Sequence, residues 1–251
     1  MLTWIPLAGM TLAVVLIGLI AGLPALNGKA FSAGGRLAGV GEALSVGVFL
    51  GAGLIHLLAD AAADYQTQGV DYPWPFLLAG VMVLALACLE QYGRARLNAN
   101  GNGIASIAVL ATAMLTIHSF LAGAALSVSK TGGVALLIFL AILAHKWAAA
   151  FALALMLSRS PMSIARRHIC FLVFVAGVPA GVIAGALVRQ SSSRFPLLEP
   201  TLLAFAAGTF IYLGTLHGLS EGPMVRTWRT IGNFLAIVLG FTIMAVVAIW
   251  V

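Results

Sequence analysis

Charged residues are scarce in this chain. Only 8% of its 251 residues are Asp, Glu, Lys or Arg, whereas soluble domains typically carry roughly 25%. Hydrophobic residues make up 62%, and the mean hydropathy is +1.09. This composition excludes an ordinary water-soluble domain and predicts a protein that folds in a lipid bilayer.

Cysteine and the sequence motifs of common enzymes are also scarce. The two cysteines, Cys88 and Cys170, lie in apolar segments and form no CxxC pair, which argues against a disulfide framework or a thiolate metal site. The chain contains no serine nucleophile elbow, H-E-x-x-H motif, P-loop or Rossmann fingerprint. Basic residues outnumber acidic ones thirteen to seven, but no basic cluster or aromatic platform accompanies them. We therefore expect neither an enzyme nor a nucleic-acid-binding protein, and no cofactor.

Apolar segments long enough to cross a bilayer fill almost the whole chain. Such a helix needs about 20 residues, and the segments lie near 3–23, 38–62, 74–92, 104–128, 133–158, 169–188, 199–219 and 229–250. The first segment lacks the charged start of a signal peptide and is longer than its apolar region, so we interpret it as a span. The sequence predicts a single all-α transmembrane domain over residues 1–251, with eight membrane-spanning helices.

The loop charges predict the orientation of these helices. Cations cluster in the loops after the first, third, fifth and seventh spans: Lys29, Arg36, Arg94, Arg96, Arg159, Arg166, Arg167, Arg226 and Arg229. The opposite loops hold only Lys130, Arg189 and Arg194. By the positive-inside rule, both termini face away from the cytoplasm. The compact loops and the lack of a targeting segment favour a bacterial cytoplasmic membrane.

Four of the five histidines lie inside predicted spans, where polar side chains are costly and often functional. They are His56, His118, His145 and His217. At a rise of about 1.5 Å per residue, His118 and His145 fall near the bilayer midplane. His56 lies further out with Asp60 one turn beyond it, and His217 lies further in with Glu221 beyond it. If these helix faces converge, the residues form a cation pathway across the membrane.

Neutral imidazole binds zinc, iron, copper and nickel well but calcium and magnesium poorly. The predicted cargo is therefore a divalent transition metal. The competing interpretation is that each histidine only bridges neighbouring helices by hydrogen bonds, although four on separate helices favour a pathway. Lys146 either faces this pathway or pairs with a carbonyl, and we favour the first. Glu42 and Glu90 lie near span ends, where we expect surface ion pairs.

Four segments around these histidines resemble the ZIP family (Zrt-, Irt-like proteins) of zinc and iron transporters. Residues 47–60 (GVFLGAGLIHLLAD) are similar to the family pattern GVFLAxxxxHLLPDA, and residues 117–126 (IHSFLAGAAL) to HSxxEGxALG. Residues 145–153 (HKWAAAFAL) resemble HKxxxAxxLG, and residues 206–213 (AAGTFIYL) resemble AAGTFLYV. The match runs in order through residues 40–222. It implies an eight-helix, alternating-access carrier that takes divalent metal into the cytoplasm.

The resemblance also implies a set of metal ligands, and this chain departs from it. Carried over by position, the ligands are His118, Ser119 and His145, with His56 contributing. Ala122 and Ala149 stand where many members carry Glu, and Lys146 replaces an acidic ligand of two-metal members, which argues against a binuclear centre. A dication bound by neutral imidazoles alone keeps its full charge in a low dielectric. The alternatives are therefore a different cargo or a transport-inactive sensor or interaction protein, and a homodimer stays open.

Overall fold

The computed structural model describes residues 4–27, 36–98, 103–129, 131–192, 195–217 and 228–250. These residues form the following helices: α1 (Trp4–Leu26), α2 (Arg36–Gly51), α3 (Leu58–Thr67), α4 (Trp74–Asn98), α5 (Gly103–Val128), α6 (Gly132–Arg159), α7 (Ile164–Ser192), α8 (Leu198–Tyr212) and α9 (Trp228–Val247). A π-helical stretch, Ala52–Leu57, joins α2 to α3, and a second one, Leu213–His217, extends α8. The prediction of an all-α membrane protein is confirmed.

Six helices in the described part are long and apolar enough to cross a membrane. They are Trp4–Leu26, Leu37–Thr67, Trp74–Gly93, Ala108–Val128, Gly132–Arg159 and Ile164–Val188, and Ile231–Val247 is a shorter apolar helix. Each described helix overlaps one of the predicted spans, and α2 and α3 share the span predicted at 38–62. The number of eight spans stays a prediction, because α8 and the apolar segment Ile231–Val247 of α9 are shorter than these six helices.

The helices pack as two bundles. In the first bundle, α5 lies along α7 and α1 lies along α6. In the second, α2 lies along α9 and α4 lies along α8, and α3 also packs on α8. The bundles meet mainly where α5 contacts α8 and α4 and where α6 contacts α2. An interface of this kind brings helices that are distant in sequence together near the middle of the molecule.

Glycines allow the closest helix pairs to form inside each bundle. A Cβ atom at Gly181 of α7 would overlap the carbonyl oxygen of Phe120 in α5, and one at Gly47 of α2 would overlap that of Ile237 in α9. Across the interface, a Cβ atom at Gly41 would instead meet the ring of Phe151, at 2.6 Å. Backbone-to-backbone contact therefore binds helices within a bundle, whereas this contact between bundles involves a side chain.

Two acidic residues near span ends have different environments. Glu42 of α2 forms the expected surface ion pair, with 2.8 Å between its Oε2 atom and Nη1 of Arg159 in α6. Glu90 is not at the surface: it is buried in α4 and accepts a hydrogen bond from the hydroxyl of Tyr212 in α8. The reason is that Glu90 faces α8 inside its own bundle. The side chain of Arg94, its expected partner, lies outside the described residues.

Candidate metal site

His56 and His145 line one small cavity at the interface between the bundles. The cavity measures about 20 Å³, which is room for roughly one water-sized guest. Asp60 and Ala122 line it as well, with apolar side chains of α6 and α8. Both histidines are buried, while the Asp60 side chain is 41% exposed. The Asp60 carboxylate therefore stands between the surroundings of the protein and the buried imidazoles.

His56 lies in the π-helical stretch Ala52–Leu57. Its Nδ1 atom is 2.7 Å from Oδ2 of Asp60, one turn further along the helix. Asp60 is thus in contact with His56 and lines the cavity together with it.

His118 lies in the middle of α5, and its ring contacts the ring of His145 in α6. The ring centroids of the two histidines are 5.5 Å apart in an edge-to-face arrangement. The ring of Phe210, from α8, stacks on His118 with a centroid distance of 3.6 Å and meets the ring of His145 edge-on at 4.8 Å. The two predicted midplane ligands therefore lie in contact, and an aromatic ring from the other bundle covers them.

Ring nitrogens of both central histidines are left without partners. Nε2 of His118 and Nδ1 of His145 are buried and have no hydrogen-bond partner. An unsatisfied buried polar atom costs about 1–3 kcal/mol and usually has a functional reason. A metal ion is one guest that satisfies imidazole nitrogens in such a place.

Ser119 and Lys146 form a pair next to this site. Nζ of Lys146 donates to Oγ of Ser119 across 2.9 Å and lies 3.8 Å from the centroid of the Phe174 ring. Both residues are buried. Lys146 is thus bound by a hydroxyl and an aromatic face rather than by a carbonyl. Its ammonium group engages the Ser119 oxygen that the family resemblance assigned to a metal.

The inner end of the predicted pathway is less completely described. His217 is the last residue of the π-helical stretch Leu213–His217, but its side chain falls outside the described residues, as does Glu221 entirely. In the described part of the chain, no three His, Cys, Asp or Glu side chains are arranged to hold a metal ion together. The structure places His56, Asp60 and His145 on one cavity and His118 against His145, and a complete coordination sphere there needs side-chain movement or water ligands.

Sequence reasoning missed two residues of the site, Thr209 and Phe210. Both lie in the segment AAGTFIYL, whose resemblance to a family pattern was noted without a role for any side chain. Both are fully buried and contact His118 from the opposite bundle. An aromatic or hydroxyl side chain in an apolar helix carries little signal of its own, so only the packing reveals them.

The fold and the site together define a class of protein. The chain is a multi-pass, all-helical membrane protein with buried, incompletely satisfied histidines at the interface between two helical bundles. Polar groups at membrane depth commonly mark the path of a transported ion.

The chain belongs to the ZIP zinc transporter family. The sequence model described as "ZIP Zinc transporter" matches residues 95–248, which is more than half of the chain. The members of this family are transporters rather than enzymes, and zinc is the ion that their name states. The resemblance to this family seen in the histidine segments is therefore confirmed.

Curated relatives carry the same name. The chain is 25% identical to zinc transporter ZIP2 of Mus musculus over 259 aligned residues, which cover 82% of this chain and 83% of that protein. It is 32% identical to zinc transporter ZIP1 of Takifugu rubripes over 52% of this chain and 43% of the relative. It is 31% identical to protein zntD of Dictyostelium discoideum over 55% of this chain and 20% of the relative. The match thus spans less than half of the last two proteins.

Proposed function

We propose that this protein is a zinc carrier that moves the ion across the membrane into the cytoplasm, with iron as the second candidate cargo. The observation that carries the proposal is the pair of unpartnered ring nitrogens on His118 and His145, whose rings are in contact. His56 and Asp60 would complete the ligand set from the second bundle, and His217 with Glu221 would receive the ion further along.

The charge of the ion is the main obstacle to this function, and Asp60 reduces it. Zinc prefers four ligands, and imidazole nitrogens and carboxylate oxygens both suit it. Asp60 is the carboxylate that lines the cavity with His56 and His145. One negative charge at this place cancels half of the charge of a dication. The proposed site therefore contains imidazoles from α5, α6 and the π-helical stretch, one carboxylate, and water.

Alternating access is supported by the arrangement of the two bundles. His118 and His145 belong to the first bundle, and His56 and Asp60 belong to the second. A relative displacement of the bundles would therefore separate the two halves of the ligand set and release the ion. Since one chain supplies every proposed ligand, the function does not require a homodimer. We retain the proposal that both termini face outward, in a bacterial cytoplasmic membrane.

Uptake into proteoliposomes that contain a zinc-sensitive dye tests this function. We expect uptake that saturates with zinc concentration, and at least a tenfold loss in His118→Ala and His145→Ala, equivalent to about 1.4 kcal/mol. His168→Ala is the matched control, because His168 bonds to the carbonyl of Ile164 at the start of α7, outside the site. It should transport zinc within about twofold of the wild type.

Three other outcomes would contradict parts of the proposal. Unchanged uptake in both site variants would exclude the site. Uptake that never saturates would exclude a carrier and favour a channel. A wild-type protein that binds zinc in calorimetry but transports neither zinc nor ferrous iron would exclude transport and favour the sensor alternative.

A further inference from the structure

Two groups of α8, in the second bundle, contact the Nδ1 atom of His118. Nδ1 of His118 lies 2.7 Å from Oγ1 of Thr209 and 3.2 Å from the carbonyl oxygen of Ala206, both in α8. The Thr209 hydroxyl itself donates to the same Ala206 carbonyl across 2.6 Å. His118 and Thr209 are buried, with exposures of 3% and 0%. The three groups therefore form a closed hydrogen-bonded triangle away from water.

The triangle determines which nitrogen of His118 carries the proton. The single hydroxyl proton of Thr209 is directed to the Ala206 carbonyl, which can only accept. The hydrogen shared between His118 and Thr209 must then come from Nδ1. In the other tautomer, the lone pair of Nδ1 would face the carbonyl oxygen at 3.2 Å, and a buried Nε2–H group would lack an acceptor. The Nδ1–H tautomer satisfies all three groups.

The same tautomer prepares the other nitrogen for a metal. A neutral imidazole has one N–H group, so a proton on Nδ1 leaves a lone pair on Nε2. Nε2 of His118 is the nitrogen that is buried without a partner, and stacking on Phe210 fixes the plane of the ring. When a histidine binds a metal through one ring nitrogen, loss of the group hydrogen-bonded to its other ring nitrogen typically lowers metal affinity about 10–100-fold.

We propose that Thr209 is a positioning residue that sets the tautomer and orientation of His118 from the opposite bundle, and that zinc affinity depends on this contact. The inference rests on the proposed function, since His118 is taken as a zinc ligand. Thr209 itself does not touch the ion. Because α5 and α8 belong to different bundles, this hydrogen bond exists only while the two bundles keep their present register. Displacement of the bundles would therefore weaken zinc binding at the same time as it opens the site.

Substitution of Thr209 separates positioning from packing. Thr209→Val keeps the shape of the side chain but removes the acceptor for Nδ1, whereas Thr209→Ser keeps the hydroxyl and removes a methyl group. We expect the KM for zinc uptake to rise about tenfold in Thr209→Val, at the low end of the usual range because the Ala206 carbonyl still holds Nδ1 weakly. The maximal rate should change less than twofold, and Thr209→Ser should match the wild type within about twofold.

A wild-type KM in Thr209→Val would overturn the proposal, as would equal impairment of Thr209→Ser and Thr209→Val, which would indicate packing alone. Nitrogen-15 NMR of histidine-labelled protein in metal-free nanodiscs supplies a readout that does not depend on transport, with the His118 signals assigned by their loss in His118→Gln. We expect a protonated Nδ1 and an unprotonated Nε2 in the wild type, and a mixture of tautomers in Thr209→Val.

The two measurements distinguish the failure of this inference from the failure of the proposed function. If the wild type neither binds nor transports zinc, the function fails, and the NMR spectra still decide the role of Thr209. A wild-type His118 with its proton on Nε2 would overturn the inference even in a protein that transports zinc normally.

Discussion

Ala122 lines the same cavity as His56 and His145, at the position where the family pattern HSxxEGxALG has Glu. A carboxylate introduced there would face the proposed zinc site and add a ligand with a negative charge. We predict that Ala122→Glu lowers the KM for zinc uptake about tenfold or more, a gain of about 1.4 kcal/mol in binding free energy. Zinc titration calorimetry and dye-based uptake both measure this change.

Ala149 offers a matched control for that substitution. It also stands at a family Glu position, one turn after His145, but it is buried in the apolar core and is absent from the cavity lining. Ala149→Glu should therefore bury a carboxylate among apolar groups, which reduces folded yield without raising zinc affinity. Equal gains in affinity from both variants would show that the two positions face the same ion and that the cavity is misassigned.

The histidines could be predicted from the sequence, but their partners could not. A histidine within an apolar span is conspicuous, because placing it there costs free energy. The pairing of Lys146 with Ser119 and of His118 with Thr209 depends on which faces of α5, α6 and α8 oppose each other. A membrane helix that is apolar on all sides gives no sequence signal of which face points inward. These contacts are therefore seen only in the packed structure.

At the scale of the helix, close packing of α5 on α7 depends on glycine. A Cβ atom at Gly181 would overlap the Phe120 carbonyl and approach the Ala124 nitrogen to 3.0 Å. We predict that Gly181→Ala forces the two helices apart, at a cost of about 1–3 kcal/mol. The melting temperature of the detergent-solubilised protein, followed by fluorescence-detected gel filtration, should fall by several degrees.

Gly80 of α4 provides the control for this prediction. It is exposed, and a Cβ atom there meets no other atom within 4 Å. Gly80→Ala should leave the melting temperature unchanged or raise it slightly, because alanine restricts the unfolded chain. If both variants melt like the wild type, then α5 and α7 are not in the contact described.

The all-helical membrane fold could be predicted from the sequence. Span length follows from the thickness of the bilayer, and turn residues mark the ends of the spans. The π-helical stretches could not be predicted, because the one extra residue in a π-helical turn does not change the hydropathy of the segment. Glu90 shows the same limit, since its place near a span end indicated an exposed carboxylate, whereas it is buried and accepts a hydrogen bond from Tyr212 of a distant helix.

At the scale of the whole molecule, loop charges and loop positions together predict the direction of insertion. Gln68 follows α3 on the expected outer side, and Ser163 precedes α7 on the expected inner side, and both are exposed. With Cys88 and Cys170 replaced by alanine, we predict that a membrane-impermeant maleimide labels Gln68→Cys in intact cells and labels Ser163→Cys only after lysis. The reverse pattern would place both termini in the cytoplasm and reverse the proposed direction of transport.

The π-helical turn at Ala52–Leu57 has a consequence for how this protein is compared with its relatives. A π-turn holds one residue more than an α-turn over the same length of axis. It therefore acts like a one-residue insertion that stays hidden inside an uninterrupted helix. A regular α-helical wheel drawn through residues 36–67 would place Asp60 and Tyr65 on the wrong face of the helix. In the structure, Tyr65 faces α8 and its hydroxyl is hydrogen-bonded to that of Thr201. Any relative without this turn would need a gap at this point before equivalent residues are aligned.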